Sequence, residues 1–270
     1  MIPKDFVTEW REHAPWGLDR QVEQDLVISR AFVELFSQKP IADALAFRGG
    51  TALHKPYLTP AVRYSEDIDL AQTHPGGIGE VLDAIRAALD PWLGKPSWKQ
   101  TEGRVTFTYR FDSEDLPQVA LRLKIEINTR EHFTVHGLRE HRFEVASRRF
   151  TGAANLRTYG LDELLGTKLR ALFQRKKGRN LFDLGLALQR DDVSPERVVA
   201  VFARYMEAND AKVTRAMFEQ NLATKKQEPI FKADITPLLA RGHAWDFDSA
   251  FERVWSTLDA RLPGNPWKGS

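Results

Sequence analysis

The residue types with the most chemical content lie in Phe47-Arg48-Gly49-Gly50-Thr51 and in Arg63-Tyr64-Ser65-Glu66-Asp67-Ile68-Asp69-Leu70. Two glycines and a hydroxyl residue between a strand and a helix let backbone N–H groups approach a phosphate closely. Asp67 and Asp69 alternate with Ile68 and Leu70, so on a strand both carboxylates project to one face and the apolar pair to the core. Carboxylates held side by side repel unless a cation lies between them. Mg²⁺ takes one or two carboxylates together with substrate phosphates, which makes this pair a metal platform. A turn and a solvated strand face account for either motif taken alone. Together they favour a site for a metal-bound polyphosphate.

Leu121 to Asn128 (LRLKIEIN) is a second alternating run. Leu121, Leu123, Ile125 and Ile127 fill one face, and Arg122, Lys124, Glu126 and Asn128 the other. If this strand neighbours the first, Glu126 stands beside the aspartates, as a third metal ligand of a two-metal site or as a base for an incoming hydroxyl. A wet strand face accounts for it equally well. The third element is the helix expected from Leu161. At ~100° per residue, Leu161, Leu164, Leu165 and Leu172 share one stripe, with Lys168 in its middle. Arg175 and Arg179 join the stripe if the helix persists past Gly178. Cations on a stripe that should be buried are costly unless they are paired or meet an anion. Lys168 and Arg175 therefore read as phosphate ligands, and Asp183 as a partner for Lys168 or Arg179. A structural ion-pair ladder is the alternative.

The elements that must position these groups fall into two stretches. Helical spacing covers Gln21 to Phe36, a short apolar stretch Ala44–Phe47 leads into the glycines, and period-two alternation marks a strand at Asp67–Leu70. Residues 76–90 read as helix, 104–111 and 119–128 as strands, and 141–150 as one more. Beyond about residue 155 helical periodicity dominates, with Ser194-Pro195-Glu196 capping one helix and Asp248 capping another in FDSAFERVWSTLDARL. The expected organisation is an α/β core over 1–155, then a helical domain over 156–270 that contributes Lys168 and Asp183 to the site. Pro263-Gly264-Asn265-Pro266 is expected to end the ordered chain.

Composition excludes several classes. The chain has 270 residues, 42% hydrophobic and 28% charged, which is neither disordered nor fibrous. It has no cysteine, so disulfides, thiolate metal sites and a cysteine nucleophile are excluded. No apolar run approaches the ~20 residues that span a bilayer, and with no export signal the protein is expected in the cytoplasm. The formal charge is only +2, but Lys168–Arg179 (KLRALFQRKKGR) carries six positive residues and no acid. His132 and His136 have no evident third ligand, which argues against zinc. No nucleophile elbow, Walker A sequence or dinucleotide fingerprint is present. Trp92, Trp98 and Trp245 could stack on bases, although tryptophans more often pack cores.

Phe-Arg-Gly-Gly-Thr-Ala-Leu at 47–53, the 63–70 segment and KLRALFQRKKGRNLFDL at 168–184 together resemble the AbiEii/AbiGii nucleotidyltransferase-like toxins, including the MenT group. The resemblance spans residues 25–185. It implies an α+β fold: a polymerase-β-like nucleotidyltransferase core, a mixed sheet with flanking helices, followed by a helical C-terminal region. It also implies a toxin of a toxin–antitoxin or phage-defence system, with a cognate antitoxin, that moves a nucleoside monophosphate from an NTP to the tRNA 3′ acceptor end. The family's phosphate loop then falls on Gly50 and Thr51, flanked by Arg48 and Gly49. Its metal pair falls on Asp67 and Asp69, with Ser65 at the hydroxyl position, and its helix lysine and later aspartate on Lys168 and Asp183. Arg179-Asn180 departs from the expected Arg-Asp, so Asn180 cannot act as a charged partner.

The expected reaction uses Mg²⁺, two ions on Asp67, Asp69 and Glu126, with the NTP as substrate. Gly50 N–H and Thr51 would bind the β/γ-phosphates, Lys168, Arg175 and Arg179 the leaving pyrophosphate, and Lys176, Lys177, Arg148 and Arg149 would guide tRNA. Transfer to a protein hydroxyl and a non-catalytic, partner-binding member remain open as alternatives.

Overall fold

The computed structural model describes residues 2–269, which divide into two compact units. One holds the chain to Tyr159 together with Leu238–Gly242. The other holds Gly160–Pro237 and the chain from His243. The division falls after Tyr159 because Thr151–Tyr159 is a single strand, through which the expected boundary at 155 would cut.

The first unit runs α1 (Lys4–Trp10), α2 (Asp19–Phe36), α3 (Lys39–Ala44), β1 (Leu45–Arg48), α4 (Gly49–His54), β2 (Asp67–Gln72), α5 (Gly79–Leu93), β3 (Ser97–Thr101), β4 (Arg104–Asp112), β5 (Ala120–Asn128), β6 (Leu138–Ala146) and β7 (Thr151–Tyr159). The strands form one sheet in the order β3-β4-β5-β2-β1-β7-β6. β2–β5 and β1–β7 are parallel and the other pairs antiparallel, so the sheet is mixed. Alternation decides which face is dry. Phe47, Ile68, Leu70, Phe107, Tyr109, Ile125 and Ile127 are all buried, each contributing roughly 1.5–3 kcal/mol. α2 packs on this layer, with the Phe32 and Phe47 rings 4.4 Å apart.

The strand expected over 141–150 ends at Ala146. Ser147 and Phe150 then exchange backbone hydrogen bonds and turn the chain into β7. β7 (TGAANLRTY) was not expected, because small and polar residues hide its alternation, and neither was β3 (SWKQT), which is exposed along its whole length. Leu238–Gly242 returns to this unit, with Leu239 bridging to Arg63 and Ala240 to Trp16.

The second unit is helical: α6 (Leu161–Gln174), α7 (Gly178–Ala187), α8 (Pro195–Glu207), α9 (Arg215–Lys226), α10 (Pro229–Ala233) and α11 (Phe247–Thr257). Leu165, Leu169 and Leu172 of α6 are buried together with Val198, Val201 and Phe202 of α8. Ser194 caps α8 through the Arg197 N–H, as expected. The cap of α11 is Asp246, which accepts from Ser249 N–H, and Asp248 lies in the first turn instead. Order continues past Pro263-Gly264-Asn265-Pro266, since Pro263 O accepts from Arg215 N–H and Trp267 N–H donates to Glu219. Among the described residues, no helix is long and apolar enough to cross a membrane.

Asp259, in the short turn after α11, is 0% exposed, and neither carboxylate oxygen has a hydrogen-bond partner among the described residues. Burial, reinforced by Glu219 and opposed by Arg215, pushes its carboxyl up to about 8. The unfolded chain loses this proton near pH ~3.9. Between those values the folded state binds more protons, so this group lowers stability as pH rises towards 8. Asp259→Asn is therefore expected to raise the melting temperature at pH 8 more than at pH 5, by at least ~2 °C, the shift of a 1 kcal/mol gain at this size. Equal shifts at the two pH values would refute the buried neutral carboxyl.

Candidate functional site

β1 ends at Arg48 and the chain enters α4 through Gly49, whose φ of +82° favours glycine. A Cβ at Gly49 would collide with the Asp69 carboxylate. The backbone at the start of α4 and the second aspartate therefore lie in direct apposition. α4 is braced from the far side: Lys55 Nζ lies 3.0 Å from Asp25 Oδ1, which also accepts from Trp10 Nε1 at 3.0 Å. Thr51 is 2% exposed, donates to the Asp67 carbonyl at 2.7 Å and lies 2.8 Å from Ser65 Oγ. Its hydroxyl thus ties α4 to the start of β2, and Ser65 is brought to the same place.

The register of β2 sets the rest. Asp69 lies opposite Arg48 on β1 and Glu126 on β5, and Asp67 lies opposite Lys124. All three expected carboxylates therefore share one sheet face. Burial raises the Asp67 carboxyl to about 6, helped by Asp69, Glu66 and Glu126 and opposed by Lys124. Glu126 pairs closely with Lys124 and lies 3.2 Å from Arg104 Nη1, so it is held by cations. Arg48 Nη1 meets Glu131 Oε2 at 2.7 Å, which holds the guanidinium within the protein. Lys124 and Glu131 are the neighbours that sequence reasoning missed as members of the constellation. Lys124 stood in the same alternating run as Glu126, but its place opposite Asp67 depends on the pairing register.

The expected basic stripe of the second unit divides. α6 stops at Gln174, where Lys225 Nζ caps the carbonyls of Leu172 and Phe173. The chain resumes as α7 at Gly178, where any side chain would strike the Phe231 carbonyl. Lys168 and Asp183 thus sit on different helices and pair at 2.9 Å, with Lys168 8% and Asp183 0% exposed. Arg175 is exposed at the end of α6. Arg179 is clamped by Asp234, Nε to Oδ2 at 3.0 Å and Nη2 to Oδ1 at 3.3 Å, and Lys177 approaches the same carboxylate at 3.5 Å. Lys176 pairs with Glu228 at 2.5 Å, and Arg148 pairs with Glu9 at 2.5 Å and Asp5 at 3.2 Å. Arg149 is exposed, and its N–H bonds Ser147. Arg179 is a structural clip, and Lys176, Lys177 and Arg148 have their charge met by carboxylates.

Among the described residues, no group of three or more histidine, aspartate or glutamate side chains is arranged to hold a metal ion. His132 Nδ1 lies 3.0 Å from the Gln72 carbonyl. Trp92 packs under Arg30 at 4.0 Å, and Trp245 packs against Phe182 at 5.7 Å.

The family described as nucleotidyl transferase AbiEii toxin, Type IV TA system, matches residues 30–253. The chain belongs to this family. As an AbiEii-family protein it is a toxin-like nucleotidyltransferase, and membership of a toxin–antitoxin system implies an antitoxin partner. Two solved structures share the fold. MenT4, a nucleotidyltransferase toxin of Mycobacterium tuberculosis H37Rv, is 17% identical with a TM-score of 0.65, covering 97% of this chain and 91% of its own. JHP933 of Helicobacter pylori is 18% identical with a TM-score of 0.55, covering 90% of this chain and 92% of its own. No curated protein sequence matches the chain. The expected α+β nucleotidyltransferase fold with its helical C-terminal region is thereby established.

The apposition of Gly49 and Asp69 carries a direct consequence. Gly49→Ala is expected to lower unfolding free energy by ~1–2 kcal/mol from the left-handed backbone alone, with the carboxylate collision added. Gly79→Ala, at the start of α5 where the added Cβ meets nothing, is expected to leave the urea midpoint unchanged or slightly raised, since alanine restricts the unfolded chain. Equal midpoints for both variants would show that Asp69 does not rest on Gly49.

Proposed function

We propose that this protein transfers a nucleoside monophosphate from an NTP to an RNA hydroxyl, the 3′ acceptor end of tRNA, and so blocks translation. The observation that carries the reading is the placement of Asp67 and Asp69 on one sheet face, with Asp69 against the glycine start of α4. Family membership supports the transfer chemistry. The choice of acceptor rests on the resemblance of the three motifs and on the cationic side chains that share the carboxylates' face.

The donor set fits a divalent cation. Two half-buried carboxylates stand on one face, and their mutual repulsion contributes to the raised Asp67 carboxyl, a tension that a bound cation relieves. Asp67 and Asp69 would hold Mg²⁺, which needs only one or two carboxylates besides phosphate oxygens. Glu126, already met by Lys124 and Arg104, would tune the pair from beside it instead of ligating as first expected. Bound Mg²⁺ would supply Lewis-acid charge to the triphosphate and the attacking oxygen. The Gly49-Gly50 backbone would take phosphate oxygens at close range, with Ser65 as the side-chain hydroxyl, because Thr51 is committed to the Asp67 carbonyl. In the transfer the acceptor oxygen bonds to the α-phosphorus, the bond to the bridging oxygen breaks, pyrophosphate leaves and the hydroxyl proton is released. Lys168, held by Asp183, and the exposed Arg175 are the second unit's candidates for binding an anion such as pyrophosphate.

The test is transfer of label from each NTP in turn to total tRNA with Mg²⁺, beside Asp69→Ala and beside EDTA. Label with the wild type and Mg²⁺ alone is expected, with Asp69→Ala folded but ~10²–10³-fold slower, as when a main electrostatic element is lost. Full activity in Asp69→Ala would remove the metal assignment. Label on protein with none on tRNA would replace the acceptor.

A further inference from the structure

The half of the sheet beyond β2 presents an unusual charge arrangement. Residues paired across strands share a face, as do alternate residues along one. The register therefore puts Lys99 of β3, Arg104 and Arg110 of β4, and Arg122 and Lys124 of β5 on the same face as Asp67 and Asp69. No helix of the first unit covers this face: Lys99, Arg104, Arg110 and Arg122 are exposed, whereas the residues between them, Val105, Phe107, Leu123 and Ile125, are buried on the other side. Glu126 answers Lys124 and Arg104. Lys99, Arg110 and Arg122 have no acidic partner among the described residues; the side-chain contact of Arg110 is Ser97 Oγ at 3.3 Å. The nearest further acid on this face is Asp112, at the exposed end of β4 opposite Ala120.

Arg110 and Arg122 stand directly opposite one another in the β4–β5 ladder. Like charges in that relation destabilise a sheet, and among the described residues no carboxylate forms an ion pair with either guanidinium. An anion lying across the two would offset the pair. Neighbouring strands are ~4.8 Å apart, so these cations lie one, two and three strands from the aspartates, about 5, 10 and 14 Å away across the sheet. Such spacing suits a chain of phosphates leading away from the carboxylates better than one small anion.

We infer that the open face of β3, β4 and β5 is the track for the RNA acceptor, with Arg110, Arg122 and Lys99 binding backbone phosphates behind the reactive 3′ end. It rests on the nucleotidyl-transfer reading for why RNA approaches the carboxylates. It replaces Lys176, Lys177 and Arg148 as the expected RNA contacts, because carboxylates already meet their charge.

The experiment is anisotropy titration of fluorescein-labelled unfractionated tRNA with the full chain at several salt concentrations. The paired variant Arg110→Ala/Arg122→Ala is expected to flatten the dependence of log K on log salt by about 1.4–1.8, two phosphate contacts at ~0.7–0.9 each. Arg110→Lys/Arg122→Lys is expected to keep the slope, and Lys99→Ala on the edge strand to lose about half as much as the alanine pair. Melting curves should show the alanine pair no less stable than wild type, since it removes a repulsion. An unchanged slope in both the alanine pair and Lys99→Ala would overturn the inference. So would loss of binding to labelled poly-glutamate with tRNA binding intact, which would assign the face to an acidic protein. The transfer assay separates the two readings. Arginine-dependent tRNA binding without label transfer upholds the track and fails the reaction, and label transfer with arginine-independent binding does the reverse.

Discussion

Asp67 and Asp69 share a face only because β2 is locked between β1 and β5 with Ile68 and Leu70 turned into the dry layer beneath α2. A slip of one residue would bury both carboxylates and expose both apolar side chains, a change the core strongly opposes. The same register brings Arg48, Glu126 and Lys124 beside the pair. It also sets Asp69 over Gly49, where no other residue leaves room. Burial of a few aliphatic side chains therefore holds in place a group of charges that would not gather on its own account.

That gathering has an electrostatic cost, distributed unevenly. Glu126 is compensated by Lys124 and Arg104, and Glu131 by Arg48. Asp67 has only the partial opposition of Lys124, and burial, with Asp69 beside it, raises its carboxyl to about 6. Burial does the same to Asp259, a neutral core carboxyl, and hydrogen bonds from Arg179 do the opposite to Asp234 in spite of its burial. What sets Asp67 apart is its half-exposed place beside a second carboxylate on one sheet face, where a cation from outside the fold can reach both.

Alternation and motif spacing made much of this legible in advance. β2, β4 and β5 follow period-two runs with one wholly apolar face, and α2 and α6 follow helical spacing, so their bounds differ from expectation by a few residues at most. β3 and β7 escaped for a physical reason: an edge strand exposed on both faces needs no alternation, and Gly152, Ala153, Ala154 and Asn155 carry little hydrophobic signal. Asp67, Asp69 and Glu126 were found as a face, but which cations neutralise Glu126 depends on pairing between distant segments. The basic run 168–179 misled because helical projection was carried through a helix end. Lys225, more than fifty residues later in the chain, supplies the cap that stops α6.

The net charge of +2 conceals a sorting by position that composition cannot show. In the 168–179 run the cations are dense in sequence, yet Lys168, Lys176, Lys177 and Arg179 are each answered by a carboxylate from elsewhere in the second unit. On β4 and β5 the cations are sparse in sequence, one in every two to six residues, and look like ordinary polar positions of amphipathic strands. Pleating then gathers them on one face and antiparallel pairing sets two of them opposite each other. Linear charge density therefore points to a cluster most of whose cations the fold already pairs. The period of the strand finds the one it leaves open, so for a sheet protein of near-zero net charge, cations are better counted by face than by run.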